Sequence, residues 1–194
     1  MKRILLAILI TAFLLSACAA PALPAPSLSQ ASQEAPEPTS MPTVASEDLP
    51  DLGLAPELHN GPWINTDALK LADLRGQVVL LEMWTFGCYN CRNVLPHVSQ
   101  WYQDYMDDGL VVIGNHYPEF DFEANFDNLQ QAVKDLNINF PVLQDNDRQT
   151  WAAYHNRYWP TIYLIDKQGH LRYQHIGEGA YAQTEAAIQT LLAE

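Results

Sequence analysis

The stretch VVLLEMWTFGCYNCR, residues 78–92, joins a nearly continuous apolar run to two cysteines that are separated by Tyr89 and Asn90. The apolar run, Val78 to Trp84, predicts a strand that is buried on both faces. From Cys88 to about Met106, apolar residues recur at helical spacing. The sequence therefore predicts a dithiol at the beginning of a helix that follows a buried central strand.

The position of the dithiol predicts its chemistry. At a helix start, unpaired backbone amides and the helix dipole lower the pKa of a thiol from about 8.5 towards 7 or below. Only the thiolate attacks disulfides, so we expect Cys88 to be the nucleophile. Cys91 lies one turn further into the helix, where greater burial suits a resolving thiol. The third cysteine of the chain is Cys18, so none is left for a structural disulfide in the domain.

The rest of the chain alternates between predicted strands and helices. Leu110–Gly114 is a second apolar run, which completes a βαβ unit with parallel, neighbouring strands. The turn residues 166–169 (DKQG) separate two further strands and predict a hairpin. The fold class is therefore α/β, with a central mixed sheet flanked by helices and antiparallel last strands. The other predicted elements are helices at about 126–136, 148–154 and 181–192, and strands at 140–143, 161–165 and 170–176.

The first 56 residues differ in character from the rest. Lys2 and Arg3 precede an apolar run, residues 4–15, that is typical of a secretory signal and short for a membrane span. The stretch LSAC, residues 15–18, resembles the bacterial lipobox, in which the cysteine is lipidated; ordinary cleavage after residues 17–19 (ACA) is the alternative. We expect a lipoprotein signal peptide at 1–17, a disordered Pro/Ala/Ser-rich tether at 18–56 and a folded domain at 57–194.

The charge of the chain limits its partners. The net charge is −13, and it becomes −15 without Lys2 and Arg3. Such an acidic chain argues against binding of nucleic acid or anionic lipid as the main activity. A lipid on Cys18 would hold the protein at an extracytoplasmic membrane surface without spanning the membrane.

Two separated motifs resemble the thioredoxin family. LLEMWTFGCYNC is similar to the thioredoxin active-site strand and helix, with Glu82 six residues and Trp84 four residues before the first cysteine. Pro96 matches the proline that kinks the active-site helix in that family. RYWPTIYLID resembles the second signature, in which a cis proline, here Pro160, opposes the dithiol. Together with NHYPEF and GEGAY, these motifs are similar to extracytoplasmic TlpA-like and DipZ-type thioredoxin domains, over residues 63–192.

This resemblance implies a thioredoxin-like fold and a thiol–disulfide oxidoreductase that reduces exported proteins with electrons from a membrane partner. Glu82, buried beneath the dithiol, would accept the proton of Cys91 through water, and Pro160 would present a backbone edge to an extended client. No cofactor beyond the redox-active Cys88–Cys91 disulfide is implied. The predicted client groove consists of Trp84, Tyr89, Asn90 and Trp159.

The sequence also departs from thioredoxin. Tyr89-Asn90 replaces the usual Gly-Pro between the cysteines, which leaves the direction of electron flow open, and Gly87 replaces a Trp. The segment at residues 115–139 is longer than the corresponding segment of a minimal thioredoxin. They resemble the TlpA-like insertion, which shapes partner choice and lies here between the βαβ unit and the hairpin that begins at the cis proline.

Other uses of the cysteines lead to different predictions. Structural zinc needs four ligands, and the histidines are too scattered to complete two cysteines, so no metal is expected. A copper carrier of thioredoxin fold, with His116 as a distal ligand, is the non-enzyme alternative, although such carriers space their cysteines by three residues. Thr85-Phe86-Gly87-Cys88 also matches the T-x-x-C pattern of peroxiredoxins, although Leu81 stands where a proline is expected. A thiol peroxidase is therefore the enzyme alternative.

Overall fold

A computed structural model describes residues 49–194. It contains a six-stranded mixed sheet in the order β1-β4-β3-β2-β5-β6. The strands are β1 (Trp63–Ile64), β2 (Val78–Trp84), β3 (Leu110–His116), β4 (Val142–Gln144), β5 (Thr161–Ile165) and β6 (Leu171–Ile176). The helices are α1 (Tyr89–Tyr105), α2 (Phe126–Asp135), α3 (Gln149–Ala153) and α4 (Tyr181–Ala193), with single 3₁₀ turns at Leu71–Leu74, Met106–Asp108 and Asp121–Ala124.

Strand β2 lies inside the sheet and is buried along its whole length. It is parallel to β3 and antiparallel to β5. All seven of its residues are buried, because its alternate side chains enter two separate apolar clusters. This arrangement confirms the predicted buried strand and parallel βαβ unit, and the antiparallel pairing of β5 with β6 confirms the mixed sheet.

Helix α1 begins directly after the first cysteine of the motif. Cys88 has extended backbone angles (φ −72°, ψ 122°) and caps the helix, because its Sγ accepts a hydrogen bond from the Cys91 N–H at 3.3 Å. The helix therefore starts one residue later than the sequence predicts. Pro96 lies inside it, where the resemblance places it. The apolar face that α1 buries consists of Cys91, Val94, Leu95, Val98 and Trp101.

Residues 49–56 pack against the β5–β6 hairpin, which corrects the predicted start of the domain. The Leu52 N–H donates to the Leu171 carbonyl at 2.9 Å, and the Ala55 N–H donates to the Gly169 carbonyl at 3.0 Å. The sequence predicts a tether here because these residues offer few large side chains for a core. They are held instead by backbone hydrogen bonds, which composition does not report.

The predicted signal peptide, the lipidation site Cys18 and the tether as far as residue 48 lie outside the described residues. These features therefore remain predictions. Between residues 49 and 194, no helix combines the length and the hydrophobicity needed to cross a bilayer.

The segment predicted as an insertion begins with the last two residues of β3. Asn115 and His116 extend that strand beyond its predicted end at Gly114, and both are fully buried despite their polarity. The 3₁₀ turn Asp121–Ala124 and helix α2 follow, and α2 buries Leu129 and Val133 in the apolar cluster beneath α1. The insertion is thus packed into the domain.

Candidate active site

Cys88 lies half-buried at the N-terminus of α1, and both cysteines of the motif are free thiols. A hydrogen bond from the Cys91 side chain lowers the pKa of Cys88 to about 6, helped by the backbone N–H groups of Cys91 and Asn90 and opposed by partial burial. At neutral pH the sulfur of Cys88 is therefore mostly thiolate. This is the form that attacks a disulfide.

Cys91 has the opposite environment. Its side chain is fully buried in the apolar cluster beneath α1. Burial raises the pKa of the Cys91 thiol, and the hydrogen bond to Cys88 and the charge of Glu82 raise it further. The two sulfurs therefore differ in kind, because the first is ionised and reachable while the second keeps its proton.

Glu82 lies on β2 with none of its surface exposed. Among the described residues, neither of its carboxyl oxygens has a hydrogen-bond partner. Burial, followed by the charge of Cys88, raises the pKa of Glu82 to about 8. A buried acid that titrates near neutral pH suits the transfer of a proton from a neighbouring thiol. Glu82 shares one face of β2 with Leu80 and Trp84, which pack in the same cluster as Cys91, and its charge raises the pKa of Cys91.

Pro160 and Trp159 lie beside the end of β2. The Trp159–Pro160 bond is cis, the isomer that the resemblance implies. The Pro160 carbonyl accepts a hydrogen bond from Gly177, and Thr161 pairs with Met83 of β2 and with β6 on its other side. Both of these positions are already paired, whereas the backbone of Trp159 makes no hydrogen bond among the described residues, so it is the free backbone edge beside Pro160.

The side chain of Trp159 is fixed by aromatic neighbours. It is half-buried, and its Nε1–H donates to the Tyr117 carbonyl at 3.1 Å. Its rings stack on Tyr117 with centroids 5.7 Å apart and lie 4.5 Å from the ring centroid of Trp151. The structure therefore holds Trp159 in place at the end of the sheet where the dithiol lies.

The remaining predicted groove residues divide into two kinds. Tyr89 is 76% exposed and Asn90 is exposed, so both are available at the surface beside Cys88. Trp84, in contrast, is fully buried, and its indole packs closely over Gly114, which has no side chain to exclude it. The prediction that Trp84 lines the groove is therefore wrong, because the strand turns this side chain into the core.

His116 supports the turn before the dithiol. Its Nε2 lies 3.1 Å from the Thr85 hydroxyl, and its ring stacks on Phe86 with centroids 5.4 Å apart. Burial lowers the pKa of His116 to about 4, so the ring is neutral at physiological pH. Within residues 49–194, no three His, Cys, Asp or Glu side chains are grouped to hold a metal ion.

Glu123 is a site residue that no pattern in the sequence predicts. Its carboxylate is fully buried, and its Oε1 accepts a hydrogen bond from the Gly87 N–H at 2.7 Å. Its Oε2 accepts from the N–H groups of Glu119 and Phe120 at 2.7 and 2.8 Å. Gly87 and Glu123 are 36 residues apart, so no local pattern reports the contact.

Comparison with known proteins agrees with this geometry. Residues 47–174 match the AhpC/TSA family. Protein DipZ of Mycobacterium bovis is 45% identical over 148 residues, which are 74% of this chain and 21% of DipZ. Thiol-disulfide oxidoreductase YkuV of Bacillus subtilis is 25% identical over 132 residues, which cover 68% of this chain and 88% of YkuV. The chain thus spans about a fifth of the length of DipZ and most of YkuV.

Solved structures show the same fold. A crystal structure of a thioredoxin-like superfamily protein is 33% identical with a TM-score of 0.68, and the match covers 73% of this chain and 97% of that protein. A putative thiol:disulfide interchange protein DsbE from Chlorobium tepidum is 29% identical with a TM-score of 0.63, over 75% of this chain and 97% of that protein. The chain therefore belongs to the AhpC/TSA family and has a thioredoxin-like fold of the TlpA and DipZ type.

Proposed function

We propose that this protein is a thiol–disulfide oxidoreductase that exchanges disulfides with partner proteins through Cys88 and Cys91. The observation that carries the proposal is the contrast between the two sulfurs. Cys88 is half-buried with its pKa lowered to about 6, while Cys91 is fully buried with its pKa raised. Relatives named thiol-disulfide oxidoreductases support the same reaction class.

In the reducing direction the reaction has two steps. The Cys88 thiolate attacks one sulfur of a partner disulfide, forming a mixed disulfide and releasing the other partner sulfur as a thiolate. In the mixed disulfide Cys88 no longer carries the charge that helps to keep Glu82 protonated, so a larger share of Glu82 is ionised. Cys91 then passes its proton to this ionised Glu82 and attacks the Cys88 sulfur. The Cys88–Cys91 disulfide forms, and the second partner sulfur leaves as a thiolate. Two electrons have moved from the dithiol to the partner, and the released thiolates take up protons.

The proposal also includes the direction of electron flow and the location of the protein. We propose a reductase, because the TlpA-like resemblance implies one, with electrons supplied by a dithiol of a membrane partner. The predicted lipid on Cys18 would hold the protein on the outer side of a bacterial membrane, within reach of that partner. Cys18→Ser should abolish incorporation of a labelled fatty acid and release the protein from the membrane fraction. Absence of the labelled fatty acid from the wild-type protein, or its incorporation into Cys18→Ser, would exclude a lipid on Cys18.

The reaction class can be tested on the purified protein with a small dithiol as electron source and insulin as the disulfide substrate. We expect turnover that is lost in Cys88→Ser. Cys91→Ser should instead accumulate a covalent complex with the substrate through Cys88, because the resolving thiol is absent. Failure of the wild-type protein to reduce insulin, or retention of turnover in Cys88→Ser, would contradict the proposal.

A thiol peroxidase is the second candidate, because the AhpC/TSA match and the T-x-x-C pattern both allow it. Thr85 is fully buried, with its hydroxyl 3.1 Å from His116 Nε2, so a peroxide that approaches Cys88 from the surface does not reach this hydroxyl. This observation favours disulfide exchange. Peroxide consumption by the wild-type protein that exceeds its rate of insulin reduction would reverse the preference.

A further inference from the structure

The turn between β2 and the dithiol is held from one side by the insertion. This turn consists of Thr85, Phe86 and Gly87, and it is called the active-site turn below. The Thr85 hydroxyl bonds to His116. The Phe86 ring stacks on the ring of His116, with centroids 5.4 Å apart, and meets the ring of Phe122 edge-on at 5.7 Å. The first two residues of the turn are thus fixed by aromatic and hydrogen-bond contacts.

The third residue of the turn is held by a carboxylate. Glu123 joins the Gly87 N–H, on one oxygen, to the N–H groups of Glu119 and Phe120, on the other. Among the described residues, no cation forms an ion pair with this fully buried side chain. A buried charge without a cation is costly unless hydrogen bonds compensate it, and here three backbone donors do so.

The contact with Glu123 requires a residue without a side chain at position 87. A Cβ atom at position 87 would overlap Glu123 Oε1 and lie 3.6 Å from the Phe122 ring. Gly87 is not among the glycines with left-handed backbone angles, so the conformation of the chain does not demand glycine there. Glycine is required there because the Glu123 carboxylate approaches the backbone closely. This explains why a glycine stands where thioredoxin has a large side chain.

We propose that Glu123 is a positioning residue for Cys88, which fixes the active-site turn through Gly87 and so aims the Cys88 sulfur at the amides of the helix start. The inference rests on the proposed function and extends it. Gly87 directly precedes Cys88, and the Cys88 N–H itself bonds to the Thr85 carbonyl at 3.3 Å. A shift of Gly87 therefore changes the position of the sulfur relative to the Cys91 N–H.

Two roles of Glu123 predict opposite results. If Glu123 acted only as a nearby negative charge, removing the charge would stabilise the Cys88 thiolate and lower the pKa of Cys88. If Glu123 positions the turn, removing it loosens the hydrogen bonds that hold the thiolate, and the pKa of Cys88 rises. The sign of the change therefore separates a positioning role from an electrostatic one.

The experiment measures the rate of Cys88 alkylation against pH in the wild-type protein, Glu123→Gln and Glu123→Ala. In Glu123→Gln one oxygen is replaced by an amide group, which cannot accept a hydrogen bond from the N–H it faces. We expect the pKa of Cys88 to rise by about one unit from its value of about 6, which reduces the alkylation rate at pH 6 about fivefold. Glu123→Gln keeps the side-chain shape and decides the matter if Glu123→Ala does not fold.

Asn125→Ala provides a matched control. Asn125 lies in the same segment and caps α2 through a 3.0 Å bond to the Asn128 N–H, but it does not bond to the active-site turn. This substitution should weaken α2 and leave the pKa of Cys88 unchanged. An equal pKa rise in Asn125→Ala would show that general loosening of the insertion, and not the Glu123 contact, controls the thiol.

Gly87→Ala supplies an independent test of the contact itself. Alone, this substitution should displace the carboxylate and raise the pKa of Cys88 as the Glu123 variants do. Combined with Glu123→Ala, it should add little, because the overlapping oxygen is gone. An unchanged or lowered pKa in folded Glu123→Gln, or additive effects in the double variant, would overturn the inference. These readouts need no client, so they remain valid if insulin reduction fails.

Discussion

Replacing Glu82 by Gln should change how the stability of the domain depends on pH. The carboxyl has a pKa of about 8 in the folded protein and an ordinary value of 4.5. Between these values the folded protein holds a proton that the unfolded chain has released. The free energy of unfolding therefore falls as the pH rises, by up to about 1.4 kcal/mol per pH unit.

The size of this effect follows from the two pKa values. From pH 5 to pH 7 the penalty from Glu82 grows by about 2.5 kcal/mol, and it approaches about 5 kcal/mol above pH 8. Cys88 contributes with the opposite sign, because a thiol with a lowered pKa stabilises the folded state as the pH rises from about 6. Both proteins should therefore carry Cys88→Ser and Cys91→Ser, which leaves burial as the cause of the Glu82 shift.

The assay is denaturant unfolding at pH 5, 6 and 7, followed by tryptophan fluorescence. The gap in unfolding free energy between Glu82→Gln and its parent should widen by about 2.5 kcal/mol over this range, with the variant the more stable at pH 7. A gap that stays constant within about 0.5 kcal/mol would show that Glu82 ionises normally inside the folded protein. The argument that burial tunes Glu82 to exchange a proton with Cys91 near neutral pH would then be lost.

Three further substitutions test separate parts of the site. Cys91→Ala removes the hydrogen bond that contributes most to the lowered pKa of Cys88, so this pKa, measured by alkylation against pH, should rise towards 9. Cys91→Ser keeps a hydrogen-bond donor and should raise the pKa less; equal profiles for the two variants would contradict this cause. Thr85→Val leaves the buried His116 Nε2 without its partner and should lower the free energy of unfolding by about 1–3 kcal/mol; a loss below about 0.5 kcal/mol would refute the contact. Trp159→Ala should raise KM for a protein disulfide roughly tenfold and leave reduction of a small disulfide unchanged; equal losses with both substrates would exclude a role in client binding.

Apolar patterns predicted the frame of the fold correctly. The runs Val78–Trp84 and Thr161–Ile165 form strands with the predicted bounds, and α1 lies within one residue of its predicted start. These elements bury side chains that are apolar in the sequence, so hydrophobic periodicity reports them directly. The dithiol could be placed at the helix start for the same reason.

Polar contacts between distant residues could not be predicted in the same way. Asn115 and His116 are buried by partners elsewhere in the chain, so the predicted end of β3 came two residues early. Glu123 reads as a surface acid because its three donors are backbone groups, which leave no mark on composition. The glycine at position 87, where thioredoxin has a Trp, is the one sign of this contact in the sequence, and it does not identify Glu123 as the partner.

The predicted groove illustrates a limit of inference from a motif. A motif gives the spacing of Trp84 from the cysteines, but the direction of its side chain depends on the alternation of β2, which turns it into the core. Tyr89 and Asn90 follow the strand and stay at the surface. Sequence similarity therefore located the site, but the structure was needed to distinguish its exposed residues from the buried ones that support them.

The central claim is that Cys88 is ionised and reachable at physiological pH. The most direct test is the pH dependence of alkylation of the reduced wild-type protein, with the modified cysteine identified by mass spectrometry. We expect modification at Cys88 before Cys91, with a midpoint near pH 6. A midpoint at or above the ordinary thiol value of about 8.5, or first modification at Cys91, would contradict the claim.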